Sequence, residues 1–233
     1  MKISDNIASE FNEFSKDYTN DMVKCVPYYN ALISSFTENL PPDFQPLTIL
    51  DLGCGNGNVT AQLLPSFPKS EYTLVDASDE MLNLCISRFK DFNINCATSY
   101  FQDFEFGKNR YDFIVAGFSL HHCNSEEKKE LFKKIYAALK PNGIFSCSDL
   151  MIDKKSTEHA VLLEQWKGFV LSNYPTQEKW EWLMEHYSEF DKPDSFPNQK
   201  KWLEQVGFSS FNSIINETYW VHFQVIKSYH LTL

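Results

Sequence analysis

The residues best suited to chemistry stand in one short run, Ile49-Leu50-Asp51-Leu52-Gly53-Cys54-Gly55-Asn56-Gly57-Asn58. An apolar lead-in ends in an acid, and glycines follow at alternate positions. Glycine lets the backbone turn tightly and lets a ligand approach the main chain. One glycine would suit a plain strand-to-helix turn, but three after an acid point to a bound nucleotide. The dinucleotide pattern G-x-G-x-x-G sets its third glycine where a helix packs on a strand, and Asn58 stands there instead. The run reads D-x-G-x-G-x-G, and an acid just ahead of the glycines suits a cation better than a phosphate. S-adenosylmethionine (SAM) has an amino-acid end and a sulfonium and carries no pyrophosphate. A second acid, Asp76, closes another apolar run 25 residues after Asp51, where a carboxylate can take both ribose hydroxyls of an adenosine. NAD carries the same ribose, so Asp76 alone leaves an NAD-dependent oxidoreductase as an alternative, against which Asn58 and the loop pattern count.

Two further groups bear on chemistry. His121-His122-Cys123 follows a strand. Adjacent histidines at a helix start point in different directions, which argues against one metal held by both, so no metal is expected. One of them has the ordinary pKa of a general base, but the sequence does not say which, and no catalytic residue is assigned. Trp166, Tyr174, Trp180, Trp182, His186 and Tyr187 crowd a later stretch. They read first as packing of a cap on the main domain, and otherwise as the aromatic walls of a substrate lid.

Positioning these groups requires alternating strands and helices. Residues 4–16 and 27–36 read as helices, with Pro27 in a first turn. Residues 38–46 read as a linker. Strands are predicted over 47–52, 72–76, 94–101, 111–118 and 144–150, each a short apolar run. Helices fall between them at 58–65, at 78–89, where Ser78 is a capping residue, and at 126–139. The alternation predicts an α/β fold: a doubly wound, Rossmann-like, mostly parallel sheet with helices on both faces. Helices over 154–173, 178–190 and 197–206 follow, and then a hairpin turning at Asn216-Glu217. The reading is a single domain over 1–233, with an N-terminal helical cap (1–45), a core (46–150), inserted helices (151–206) and a terminal antiparallel hairpin (207–233).

ILDLGCGNGN, LVDASDEM, YDFIVAGFSLHH and LKPNGIF, in this order and spacing, resemble the motifs of class I SAM-dependent methyltransferases over about residues 45–150. The resemblance implies SAM as cofactor, with Asp51, Gly53, Cys54 and Gly55 in the loop and Asp76, Ala77 and Met81 from the second motif. It puts Tyr100 and Phe101 at the adenine, although Tyr100 replaces the usual acid and Asp103 is an alternative contact. Gly117 and Phe118 would flank the methionine part. A narrower similarity, carried by Val26-Pro27-Tyr28-Tyr29-Asn30 and helical residues 155–206, is to the carboxy-SAM synthases of tRNA modification and related methyltransferases. It implies that Tyr29 touches the methionine end. Those synthases hold their extra carboxylate with an arginine in the inserted helices, and this chain has no arginine after Arg110. Ordinary SAM and methyl transfer to an unidentified small molecule are therefore expected, with the synthase as alternative.

Composition bounds the partners. The net charge is −10, and the only arginines are Arg88 and Arg110. Nucleic-acid binders carry a basic face with arginines that grip phosphates, so a polynucleotide acceptor is not expected. The cysteines form no C-x-x-C pair, which fits free thiols in a reduced, cytoplasmic, soluble protein. No apolar run suggests a signal peptide or membrane span. A homodimer is left open.

Overall fold

The computed structural model describes residues 18–228; the helix expected over 4–16 lies outside the described residues. Seven strands form one sheet in the order β3-β2-β1-β4-β5-β7-β6. They are β1 (Thr48–Leu52), β2 (Glu71–Asp76), β3 (Ile94–Thr98), β4 (Tyr111–Gly117), β5 (Leu139–Leu150), β6 (Ser209–Glu217) and β7 (Trp220–Ile226). Strands β1 to β5 pair in parallel, and β7 runs antiparallel between β5 and β6.

Side chains alternate between faces along each central strand, and both faces are dry. Leu50, Leu52, Ile114 and Phe145 pack with Leu131, Phe132 and Ile135 of α5 (Ser125–Ala138) and Leu203 of α8 (Phe196–Val206). On the opposite face Ile49, Leu74, Phe113 and Val115 meet α3 (Asn58–Leu63) and α4 (Asp79–Arg88). This two-sided burial explains why the strands read as continuous apolar runs. Helix α5 begins with a full capping box between Asn124 and Glu127. A third cluster joins α2 (Tyr29–Ser34), α6 (Glu158–Asn173) and α7 (Glu178–Glu189) to Phe118, Leu150 and Trp220 at the edge of the sheet.

The structure departs from expectation at several places. The helix read over 27–36 is shorter, because Tyr28 takes φ 61° at its start and the chain tightens to a 3-10 turn at Ser35–Thr37. Helix α1 (Tyr18–Cys25) precedes it and was not anticipated. Strand β3 stops at Thr98, where a turn puts Tyr100 and Phe101 beyond the sheet. The hairpin turns two residues later than Asn216-Glu217, at Thr218 and Tyr219, with φ 47° and 72°. Positive φ at both central residues matches the right-handed twist of the flanking strands. Of the inserted helices, α8 packs with α5 on the sheet, so only α6 and α7 serve as cap.

Gly117 ends β4 where α3 comes closest, and a Cβ there would stand 2.5 Å from Val59 Cγ2. Gly117→Ala should therefore cost about 1–3 kcal/mol in urea unfolding. Val59→Ala in that background should recover part of the loss, which distinguishes the contact from a general backbone effect.

Candidate active site

Strand β1 delivers Asp51 to the carboxyl edge of the sheet, fully buried. Its Oδ2 accepts a hydrogen bond from Thr60 Oγ1 at 2.7 Å, while Oδ1 makes none. Burial pushes the Asp51 pKa up to about 7, opposed by the Thr60 hydrogen bond and assisted by the charge of Asp76. A buried acceptor without a donor fits a ligand that brings one. Gly53, Gly55 and Gly57 follow at φ 68°, 52° and 84°. The amides of Gly53 and Cys54 both donate to Val75 O, which ties the loop to β2. A Cβ on Gly53 would meet Ser119 Cβ at 2.3 Å, so only glycine fits between this loop and the end of β4.

Asp76 ends β2 and turns back on the same loop. Its Oδ2 accepts from the Gly55 amide at 2.8 Å and its Oδ1 from the Ser78 amide at 2.9 Å. Burial raises its pKa, and the Ser78 and Gly55 amides restrain the rise. Ser78 caps α4 as anticipated, its Oγ accepting from the amide of buried Met81. Ala77, half-buried, lies between them. Cys54 is buried against the loop, where its thiol and that of Cys85 both point at Gly55 O.

The remaining predicted residues divide. The Phe101 ring lies on the loop, 3.2 Å from the position of a Gly53 Cβ. Tyr100 is half-buried and its carbonyl holds the turn by accepting from Asp103 and Phe104. Asp103 is exposed. Tyr29 is buried, and its hydroxyl accepts from Asn58 Nδ2 at 2.8 Å. Its ring lies 5.2 Å from that of Phe118, and burial pushes its pKa up to about 12. Phe118 sits at φ 55° with its amide on Ser148 O. The Cβ position of Gly117 faces Val59 rather than the loop, so its smallness serves packing of α3.

Asn58, which in the sequence serves only to separate nucleotide patterns, is a hub. Besides holding Tyr29, its Oδ1 accepts from Thr19 Oγ1 and Arg88 Nη1, each at 3.0 Å. Tyr18, on α1, places its ring 3.7 Å from the position of a Gly55 Cβ. Helix α1 thus lies across the loop and is held from the cap side. Lys179 Nζ and Tyr174 Oη donate to Asp21, and Trp166 Nε1 donates to Cys25 O.

Between α1, the end of β4 and the cap lies a cleft partly open to solvent. Met22, Val26, Phe118, Trp166, Leu183 and Trp220 give it apolar walls. One end is polar and contains His121, His122, His186 and Asp191. The expectation that the adjacent histidines diverge is overturned. The 3-10 turn Leu120–His122 brings their ring centroids within 4.1 Å, both beside Asp191. His121 Nδ1 contacts Asp149 Oδ1 at 2.5 Å. Burial pulls the His121 pKa down, but Asp149 and Asp191 outweigh it and push it up to about 9. Burial and the charge of His121 push His122 down to about 4. Burial alone would raise Asp191; the charge of His121 and the contact with His122 bring it below the usual carboxylate range. No sequence signal linked Asp149 or Asp191 to the histidines, since they are far apart in the chain.

Residues 49–143 match the family described as a methyltransferase domain. Among curated proteins the chain is similar to the carboxy-SAM synthase of Campylobacter fetus subsp. fetus. The two are 31% identical over 157 residues, which cover 64% of this chain and 65% of that relative, just under two thirds of its length. It is also similar to the carboxy-SAM synthase of Trichodesmium erythraeum, 24% identical over 93% of this chain and 87% of that one. The fold matches human N-acetylserotonin methyltransferase in complex with SAM, with TM-score 0.61 and 15% identity over 95% of this chain and 57% of the other. The oxidoreductase alternative gains no support from these similarities.

If Asp51 faces the cationic end of SAM, binding must expel its proton. SAM affinity should then rise as pH approaches 7 and level off above it. Calorimetry at pH 6 in buffers of different ionisation enthalpy should show proton release, and Asp51→Asn should weaken binding about tenfold or more. In the ligand-free protein the sign is opposite. The folded state keeps a proton that the unfolded one has lost, so Asp51 takes stability away as pH rises from its ordinary range to 7. Absence of proton release together with unchanged affinity in the variant would remove Asp51 from the ligand.

Proposed function

We propose that this chain, whose residues 49–143 match a methyltransferase domain, is a class I SAM-dependent methyltransferase that transfers the methyl group of SAM to a small, largely apolar acceptor held in the cleft. The observation that carries this reading is the cleft itself: a partly open hollow with aromatic and aliphatic walls, one polar end, and Phe118 of the SAM-side loop in its lining. Such a space suits a small molecule, and the charge of −10 disfavours a polynucleotide.

In this reading Asp51, Gly53, Cys54 and Gly55 hold the amino-acid end of SAM. Asp76, Ala77 and Met81 take the adenosine, and Phe101 with Tyr100 borders the adenine. Tyr29 and Phe118 border the methionine part. SAM brings a methyl group already activated by its sulfonium, so the chain has mainly to align the acceptor behind that carbon and exclude water. Helix α1 and the cap perform the exclusion, since Tyr18 bridges the glycine loop and the cleft. The polar end orients the acceptor's heteroatom.

Carboxy-SAM synthesis is the second reading, favoured by the names of the similar synthases. The structure offers an added carboxylate no arginine among the residues lining the cleft. Arg88 is engaged by Asn56 O and Asn58, and Arg110 lies over the Tyr111 ring. The cleft presents Asp21 and Asp191 instead.

Mass spectrometry of the small molecule released by the purified protein tests the cofactor. SAM or S-adenosylhomocysteine is expected, and carboxy-SAM would transfer the case to the synthase. An acceptor screen with methyl-labelled SAM then tests the cleft. Leu183→Trp, which fills it, should raise acceptor KM about tenfold or more while SAM affinity stays within about twofold. Equal loss of both would place the acceptor elsewhere.

A further inference from the structure

We propose that His121, His122 and Asp191, with His186 beside them, bind one divalent transition-metal ion of the zinc class at the polar end of the cleft. One donor atom from each of His121, His122 and Asp191 lies within 4.8 Å of the others. The geometry centres on Asp191 Oδ1, with His122 Nδ1 at 3.3 Å, His121 Nε2 at 3.7 Å and His186 Nε2 at 3.7 Å. Bonds of about 2.0–2.1 Å from a tetrahedral ion set neighbouring ligand atoms about 3.3 Å apart. The separations from Asp191 Oδ1 are close to that edge, and the set as a whole lies within 4.8 Å, so side-chain rotations complete the site. Asp191 is 9% exposed, and its Oδ1 makes no hydrogen bond of good geometry.

The surroundings are those of a ligand set held in place. Asp149, 2% exposed, contacts His121 Nδ1 and also accepts the His121 amide at 3.0 Å. That leaves Nε2 as the atom directed at Asp191, and the ion takes the place of a proton there. A carboxylate behind a ligating histidine is the usual outer support of such sites. Asp191 is fixed from the main chain. Lys154 Nζ donates to Asp191 O at 2.6 Å and to Tyr187 O at 2.8 Å, and the Lys192 amide donates to His121 O at 2.6 Å. Lys128, 1% exposed, anchors the same segment through Asp194 and Lys192 O. These lysines engage carbonyls and Asp194, so Asp191 keeps its carboxylate for the cluster.

Imidazole and carboxylate donors without a thiolate suit Zn2+ and its first-row neighbours. Three protein ligands leave a coordination position for an oxygen, nitrogen or sulfur of the acceptor, whose proton the ion makes easier to lose. That role rests on the methyltransferase reading; the site itself does not.

Titration of chelator-treated protein with Zn2+ alone tests the site without SAM or acceptor. One equivalent should bind. His122→Ala and Asp191→Asn should each lose at least about thirtyfold in affinity, and Asp149→Asn about 10–100-fold. His159→Gln, outside the cluster, should bind like wild type, with circular dichroism and urea unfolding confirming that each variant is folded. Co2+ added to the wild type provides a check independent of any variant, because coordinated histidines should give hyperfine-shifted imidazole N–H resonances. Failure of Zn2+ to bind stoichiometrically, equal binding by His122→Ala and Asp191→Asn, or absence of the shifted resonances would overturn the proposal. Metal binding without methyl transfer to any acceptor would instead leave the site standing and sink the reading of function.

Discussion

A carboxylate taken out of water must be matched by donors, by a cation or by a proton, and this constraint organises the carboxyl edge of the sheet. Asp51, Asp76, Asp149 and Asp191 all lie there or against it, and each is matched differently. Asp51 has one hydroxyl and a pKa raised by burial to about 7. Asp76 has backbone amides from the loop it faces. Asp149 has an imidazole and an amide, and Asp191 has the remaining edges of the histidine cluster. The incomplete matches mark the places where a ligand has most to offer, which is why the glycine loop and the polar end of the cleft stand out from the rest of the molecule.

The cap depends on the same edge. Trp166 packs edge-on against Trp180, Tyr187 and Trp220, and so joins α6, α7 and β7 in one aromatic cluster. Its indole N–H reaches Cys25 O at the end of α1. Helix α1 is therefore bound to the cap on one side and, through Thr19 and Asn58, to the glycine loop on the other. A movement of α1 would be felt at both, so the glycine loop and the cleft share a wall.

Much of this was legible before folding. The strands of the core are apolar because both faces of a parallel sheet are covered, and the observed strands fall within a few residues of the expected runs. Ser78 as cap and the loop from Asp51 to Gly57 were legible for the same reason: the signal and the structure it produces are contiguous. Boundaries set by backbone conformation were not. Tyr28, Thr218 and Tyr219 adopt positive φ without a glycine to announce it. The assignment of α8 to the sheet and not to the cap also depended on a distant partner, α5, which its own amphipathic pattern does not name.

The sequence by itself determined the order of strands and helices and the glycine loop with its acids. These follow from local periodicity and from residue types fixed at short spacing. Only the tertiary structure decided what surrounds them. Asn58 became a hub because α1 and α4 both converge on the loop. His121 and His122 came to face one carboxylate because a 3-10 turn, β5 and the segment after α7 meet at one point. Residues 28 and 69 positions away in the chain leave no mark on the pattern around those histidines, and only packing brings their charges together.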